Sequence, residues 1–90
     1  MTAKEAFEYT CKMLEKYAAD ILYRTWFDAF DMVIWCYFRV GNRYFKICYP
    51  ISTLLNHADW KAFIEDEMVR QIADIRWILA EGKTDVAKMD

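Results

Sequence analysis

The stretch MVIWCYFRVGNRYFKICYP, Met32 to Pro50, decides how this chain folds. Two runs of β-branched and aromatic residues with a period of two flank Gly41-Asn42, the pattern of an antiparallel hairpin bent at Val40-Gly41-Asn42-Arg43. A two-residue loop sets the register: Val40 faces Arg43, Phe38 faces Phe45, Cys36 faces Ile47 and Ile34 faces Tyr49. That face is apolar and belongs to a core. The other face carries Val33, Trp35, Tyr37 and Arg39 on one strand and Tyr44, Lys46 and Cys48 on the next. It is aromatic and basic, which is more than an ordinary solvated face requires. Two readings fit it: contact with a partner, or long Arg39 and Lys46 stems laid over the rings in water.

Working outward from the hairpin, the chain reads as helical on both sides. Thr2 followed by Glu5 is a capping-box signature, and Phe7, Cys11, Leu14, Ala18 and Ile21 recur at helical spacing, flanked by the row Tyr9, Met13, Tyr17. This pattern predicts a first helix ending between Leu22 and Thr25. The segment RTWFDAFD, Arg24 to Asp31, fits either an extra helical turn or an irregular connection. Asp28 and Asp31 read as turn or strand-entry residues rather than as a catalytic carboxylate pair.

Beyond Pro50, a strand exit where a missing N–H is harmless, Ser52 to Asn56 suggests a helical turn. Asn56 or Asp59 then caps a long helix whose stripe is Trp60, Phe63, Ile64, Met68, Ile72, Ile75 and Leu79. Gly82 is a natural stop, and Lys83 to Asp90 reads as a flexible polar tail. The expected architecture is therefore a single α+β domain over residues 1–90. Its order is helix, strand, strand, helix, in two layers, with an antiparallel hairpin packed on two helices.

Composition narrows the function classes. Ninety residues make one domain with a small core, and 57% of them are of the AVILMFWYC types, above the roughly 45–50% of ordinary chains. The excess calls for a docking or self-association surface unless Tyr and Trp are only half buried. A formal charge of −2 with mixed signs provides no general attraction for phosphate backbones. The odd set Cys11, Cys36 and Cys48 lacks CxxC spacing and favours a reducing compartment. The first twenty residues contain no apolar block like a signal peptide, and the longest apolar run, Met32 to Phe38, is too short to span a bilayer as a helix. The expectation is a soluble cytoplasmic protein with no membrane partner.

The sequence offers no catalytic or metal-binding constellation, and no cofactor is expected. His57 is the single histidine, in NHADW, and suits a surface or capping position. Cys48 is the most accessible thiol of the three, but no base at hand would activate it. Glu65-Asp66-Glu67 fan around a helix rather than converge. They form a solvated face or an acidic patch for a basic partner, one instance being a blocker of a nucleic-acid-processing complex.

The leading expectation is a non-enzymatic interaction module, a small adaptor or inhibitor acting on a larger protein, with homodimerisation through the hairpin compatible. The expected interface residues are Trp35, Tyr37, Arg39, Arg43, Tyr44 and Lys46, with Glu65, Asp66 and Glu67 on the last helix. The alternative is single-stranded nucleic-acid binding through the aromatic and basic hairpin face. The resemblance to a stacking platform is compositional, and the total charge opposes it.

Overall fold

Thr2 opens the first helix as its spacing to Glu5 predicts. The Glu5 amide donates to Thr2 Oγ1 at 3.1 Å, and the Thr2 amide donates to the Glu5 carboxylate at 2.7 Å. This pairing holds the Glu5 carboxyl below its ordinary range, chiefly through the hydrogen bond to the Thr2 backbone. In the structure, a computed structural model that describes residues 1–81, the elements are α1 (Ala3–Tyr17), β1 (Leu22–Asp28), β2 (Val33–Val40), β3 (Arg43–Pro50), α2 (Ile51–Leu55) and α3 (Trp60–Glu81). Gly82 as a helix stop and the tail from Lys83 to Asp90 lie outside the described residues. The α+β class, with helices packed on the hairpin, is as expected; a third strand is added to it.

That strand comes from the ambiguous segment. Tyr23, Thr25, Trp26 and Phe27 favour extended backbone, and pairing along β2 outweighs helical continuation. Helix α1 therefore ends at Tyr17, earlier than its apolar spacing suggests. Its last turn is closed by the Ala18 amide donating to Leu14 O at 2.8 Å, and Arg76 of α3 donates to the Tyr17 carbonyl and grips the Asp20 carboxylate, both at 2.7 Å. After β1, Asp28 Oδ1 accepts the amides of Phe30 and Asp31, and Met32 takes a left-handed backbone at φ 56° to turn the chain into β2.

The β2–β3 register matches the expected one pair for pair, from Val40 with Arg43 to Ile34 with Tyr49. Only Gly41 of the bend takes a positive φ, 61°, as a Gly-first two-residue turn requires. The sheet is an antiparallel meander, β1-β2-β3. Asp59 caps α3, its carboxylate accepting the Ala62 amide at 3.1 Å.

Both long helices lie on the sheet face that carries Ile34, Cys36 and Phe38, all fully buried. Leu14 of α1, Leu54 of α2 and Ile64 and Met68 of α3 complete that core. The α1 stripe is turned from the expected line. Ala6, Thr10, Met13 and Leu14 are buried, while Phe7 and Cys11 are half buried, because α1 must meet α3 as well as the sheet. Thr10 is tolerated inside because its hydroxyl donates to Ala6 O at 2.8 Å. Leu79, expected in the core, is 48% exposed: α3, at 22 residues, outruns the 15-residue α1. Among the described residues no helix is long and apolar enough to cross a membrane.

Candidate interaction surface

The pleat sends alternate residues of all three strands to the face opposite the helices. Reading across the strands, that face is a grid of rows: Leu22, Arg39 and Tyr44; Arg24, Tyr37 and Lys46; Trp26, Trp35 and Cys48; Asp28, Val33 and Pro50. Among the described residues no helix covers it. The contrast along β2 is the clearest sign. Ile34, Cys36 and Phe38 are sealed, whereas Val33, Trp35 and Tyr37 between them are only half buried and Arg39 is exposed.

The rings on this face pack on one another. Trp26 lies against Tyr37 with ring centroids 5.1 Å apart, and Tyr37 meets Trp35 edge-on at 6.4 Å. The cations then settle on rings: Lys46 Nζ is 5.6 Å from the centre of Trp35, and the Arg39 guanidinium 5.8 Å from that of Tyr44. Arg39 also donates to Gly41 O at 3.1 Å, which anchors it at the bend. The result is a pre-assembled aromatic cluster with fixed cations. Trp26 remains 40% exposed and Tyr44 65%. Toward the hairpin tip, Leu22, Arg24, Tyr37, Arg39 and Tyr44 border a shallow groove of about 280 Å³.

Trp35, Tyr37, Arg39, Tyr44 and Lys46 are thus brought together as the sequence suggests. Arg43 stands apart from them: it pairs with Val40 at the tip, on the register of the helix-facing side, and stacks over Phe45 at 5.5 Å. Leu22, Arg24 and Trp26 were missed by sequence reasoning because β1 was not recognised. Only a weak signal was present, the aromatic and β-branched types Tyr23, Thr25, Trp26 and Phe27, because apolar and polar residues do not alternate along this segment.

The acidic triplet is elsewhere, and its members differ in their contacts. Glu65 turns onto α1, where its carboxylate accepts from the Tyr17 hydroxyl, from Tyr9 at 3.4 Å and from Lys16 at 3.5 Å. The Tyr17 hydrogen bond, foremost, holds the Glu65 carboxyl below its ordinary range. Glu67 pairs with Arg70 at 2.7 Å, one turn along, and Asp66 is exposed. All three sit on α3, across the sheet from the aromatic cluster.

Charge is divided between the layers. Residues 22–50 hold four basic and two acidic side chains, while residues 1–21 and 51–81 hold six basic and ten acidic ones. The outer face therefore carries Arg24, Arg39 and Lys46 against Asp28 alone, in a molecule that is acidic as a whole.

The thiols differ by position. Cys36 is sealed under the sheet, where burial pushes its pKa up to about 12 against the opposing contact with Thr25 Oγ1 at 3.7 Å. Cys11 is half buried and also raised, by burial first and then by Glu15 and Glu8. Cys48 is exposed on the outer face beside Trp35. His57 stacks on Phe63 at 4.0 Å at the entrance to α3, an exposed packing position. The chain matches no protein-family model, no curated protein and no solved structure.

Proposed function

We propose that this chain is a non-enzymatic protein-interaction module, a small adaptor or inhibitor that docks on a larger protein through the outer face of its sheet. The observation that carries this reading is the ring cluster of Trp26, Trp35 and Tyr37, which packs on itself on the face turned away from both long helices. Rigid aromatics and arginine contribute most of the energy at interface centres, and side chains already held in place lose little rotamer freedom on binding. Lys46 and Arg39 are so held, which suits a partner surface with an apolar pocket and an acidic rim. The acidic residues of α3 are not needed for this contact.

A second reading is favoured by one observation. The third strand adds Arg24, so cations and rings alternate across three strands as on a single-stranded nucleic-acid platform. One experiment separates the two. The tagged full chain and its Lys46→Glu and Tyr44→Ala variants are recovered from the cells that encode it, and the purified proteins are titrated with labelled oligonucleotides across a salt series. The protein-docking reading expects one protein retained in fixed ratio by the wild type, lost by both variants, and no oligonucleotide affinity beyond a weak low-salt association. Oligonucleotide binding that falls steeply with salt and is abolished by Lys46→Glu, with no retained protein, would overturn it in favour of the second.

A further inference from the structure

The two free edges of the sheet are built differently. The β3 edge carries Arg43, Lys46 and Pro50, residues that discourage strand pairing. The β1 edge, Leu22–Asp28, has no lysine, proline or glycine and only Arg24 as a cation, and among the described residues no backbone hydrogen bond from another element reaches it from outside the sheet. It is a seven-residue, aromatic strand whose only charged residues are Arg24 and Asp28.

We propose that two copies of this chain pair antiparallel through β1 about a two-fold axis at Thr25, joining their sheets into one of six strands. A self-pairing strand that keeps its faces must oppose each residue to one of the same parity. With Thr25 on the axis the whole of β1 is used; the inner pairs are self-complementary, and at each end Leu22 meets Asp28 of the second copy. On the helix side Tyr23 meets Phe27 of the second copy, and both are half-buried rings at the margin of the core. On the outer side Arg24 meets Trp26 of the second copy, twice, which places a guanidinium on a 40% exposed indole. Thr25 is small, and its hydroxyl is already committed to Trp35 O at 2.8 Å, so nothing polar is stranded at the axis. Shifting the axis by one pair to Arg24 would oppose two guanidiniums, and shifting it to Trp26 would carry the ladder past Asp28, setting Tyr23 and Leu22 opposite Ala29 and Phe30 of the turn. The dimer leaves the outer face open and makes the two aromatic clusters continuous. It does not rest on the docking reading: β1 pairs through its backbone edge, and Arg24 and Trp26 are the residues it shares with the docking face.

The test combines sedimentation equilibrium with hydrogen exchange on the full chain. The expected result is twice the 10.8 kDa chain mass. Half of the β1 amides face β2 and are slow in any state; the alternate, outward half becomes slow only as the dimer fills with rising concentration. Trp26→Lys, which sets an ammonium against Arg24 of the second copy, gives a folded monomer at the same loading, while Tyr44→Ala on β3 stays dimeric. A monomer at all concentrations, or a dimer whose outward β1 amides exchange freely, would overturn the proposal. Loss of the retained partner in Tyr44→Ala with the dimer intact keeps the two proposals apart.

Discussion

The two faces of one sheet, made from the same strands and rich in the same residue types, have opposite fates. Below it, Ile34, Cys36 and Phe38 are fully buried against Leu14, Ile64 and Met68. Above it, Trp26, Trp35, Tyr37 and Tyr44 pack on each other and on cations while staying partly wet. Hydrophobicity alone does not distinguish the faces, for the outer one has the larger rings. What distinguishes them is coverage: two amphipathic helices suffice to seal one side of a three-stranded sheet. Part of the surplus apolar content lies on the side they leave open, at Leu22, Trp26 and Tyr44; the rest is exposed elsewhere, at Phe30, Leu55 and Trp77 for example.

Substitutions that probe each face should therefore fall into separate classes. The largest effect is expected from Phe38→Ala, which opens a cavity in the sealed layer at about 3–5 kcal/mol and leaves so small a domain largely unfolded in a urea or thermal titration. Next is thiol chemistry. Under native conditions an alkylating reagent should modify Cys48 first and Cys11 more slowly. It should leave Cys36, whose pKa stands near 12, untouched until the protein unfolds, as peptide mass mapping would show. A bound partner should slow Cys48 alone.

The smallest effects belong to the clasp between the helices. Glu65 is held as a carboxylate by Tyr17, Tyr9 and Lys16, so its folded pKa lies below the unfolded one. Its contribution is fully present above the ordinary carboxylate range and is lost as pH falls through the folded value. Glu65→Gln should lower the melting temperature at neutral pH, by less than Phe38→Ala does. The difference from wild type should shrink in acid, a pH dependence that calorimetry can follow.

Much of this was legible in the sequence, and the exceptions share a cause. The hairpin register could be read because Gly41-Asn42 leaves only one two-residue bend, and the period of two then assigns every side chain to a face. The Thr2 and Asp59 caps could be read because they are local. The start of β1 could not, because Leu22, Tyr23 and Thr25 fit a helix end as readily as a strand; only pairing with Cys36, Tyr37 and Phe38 decides it. For the same reason Leu22, Arg24 and Trp26 were absent from the expected surface. Glu65 read as part of a solvated face or an acidic patch because α1–α3 docking, which supplies Tyr9 and Tyr17, leaves no trace in the residues next to it.

The central claim is that the outer face is surface held in reserve for a partner and not core. It is met most directly by the paired substitution Trp35→Ala with Tyr37→Asp, followed by urea unfolding and recovery of the bound protein. The account predicts a cooperative transition whose midpoint lies far closer to wild type than that of Phe38→Ala, with the bound protein gone. A chain that no longer folds, or a folded one that retains its partner undiminished, would contradict it.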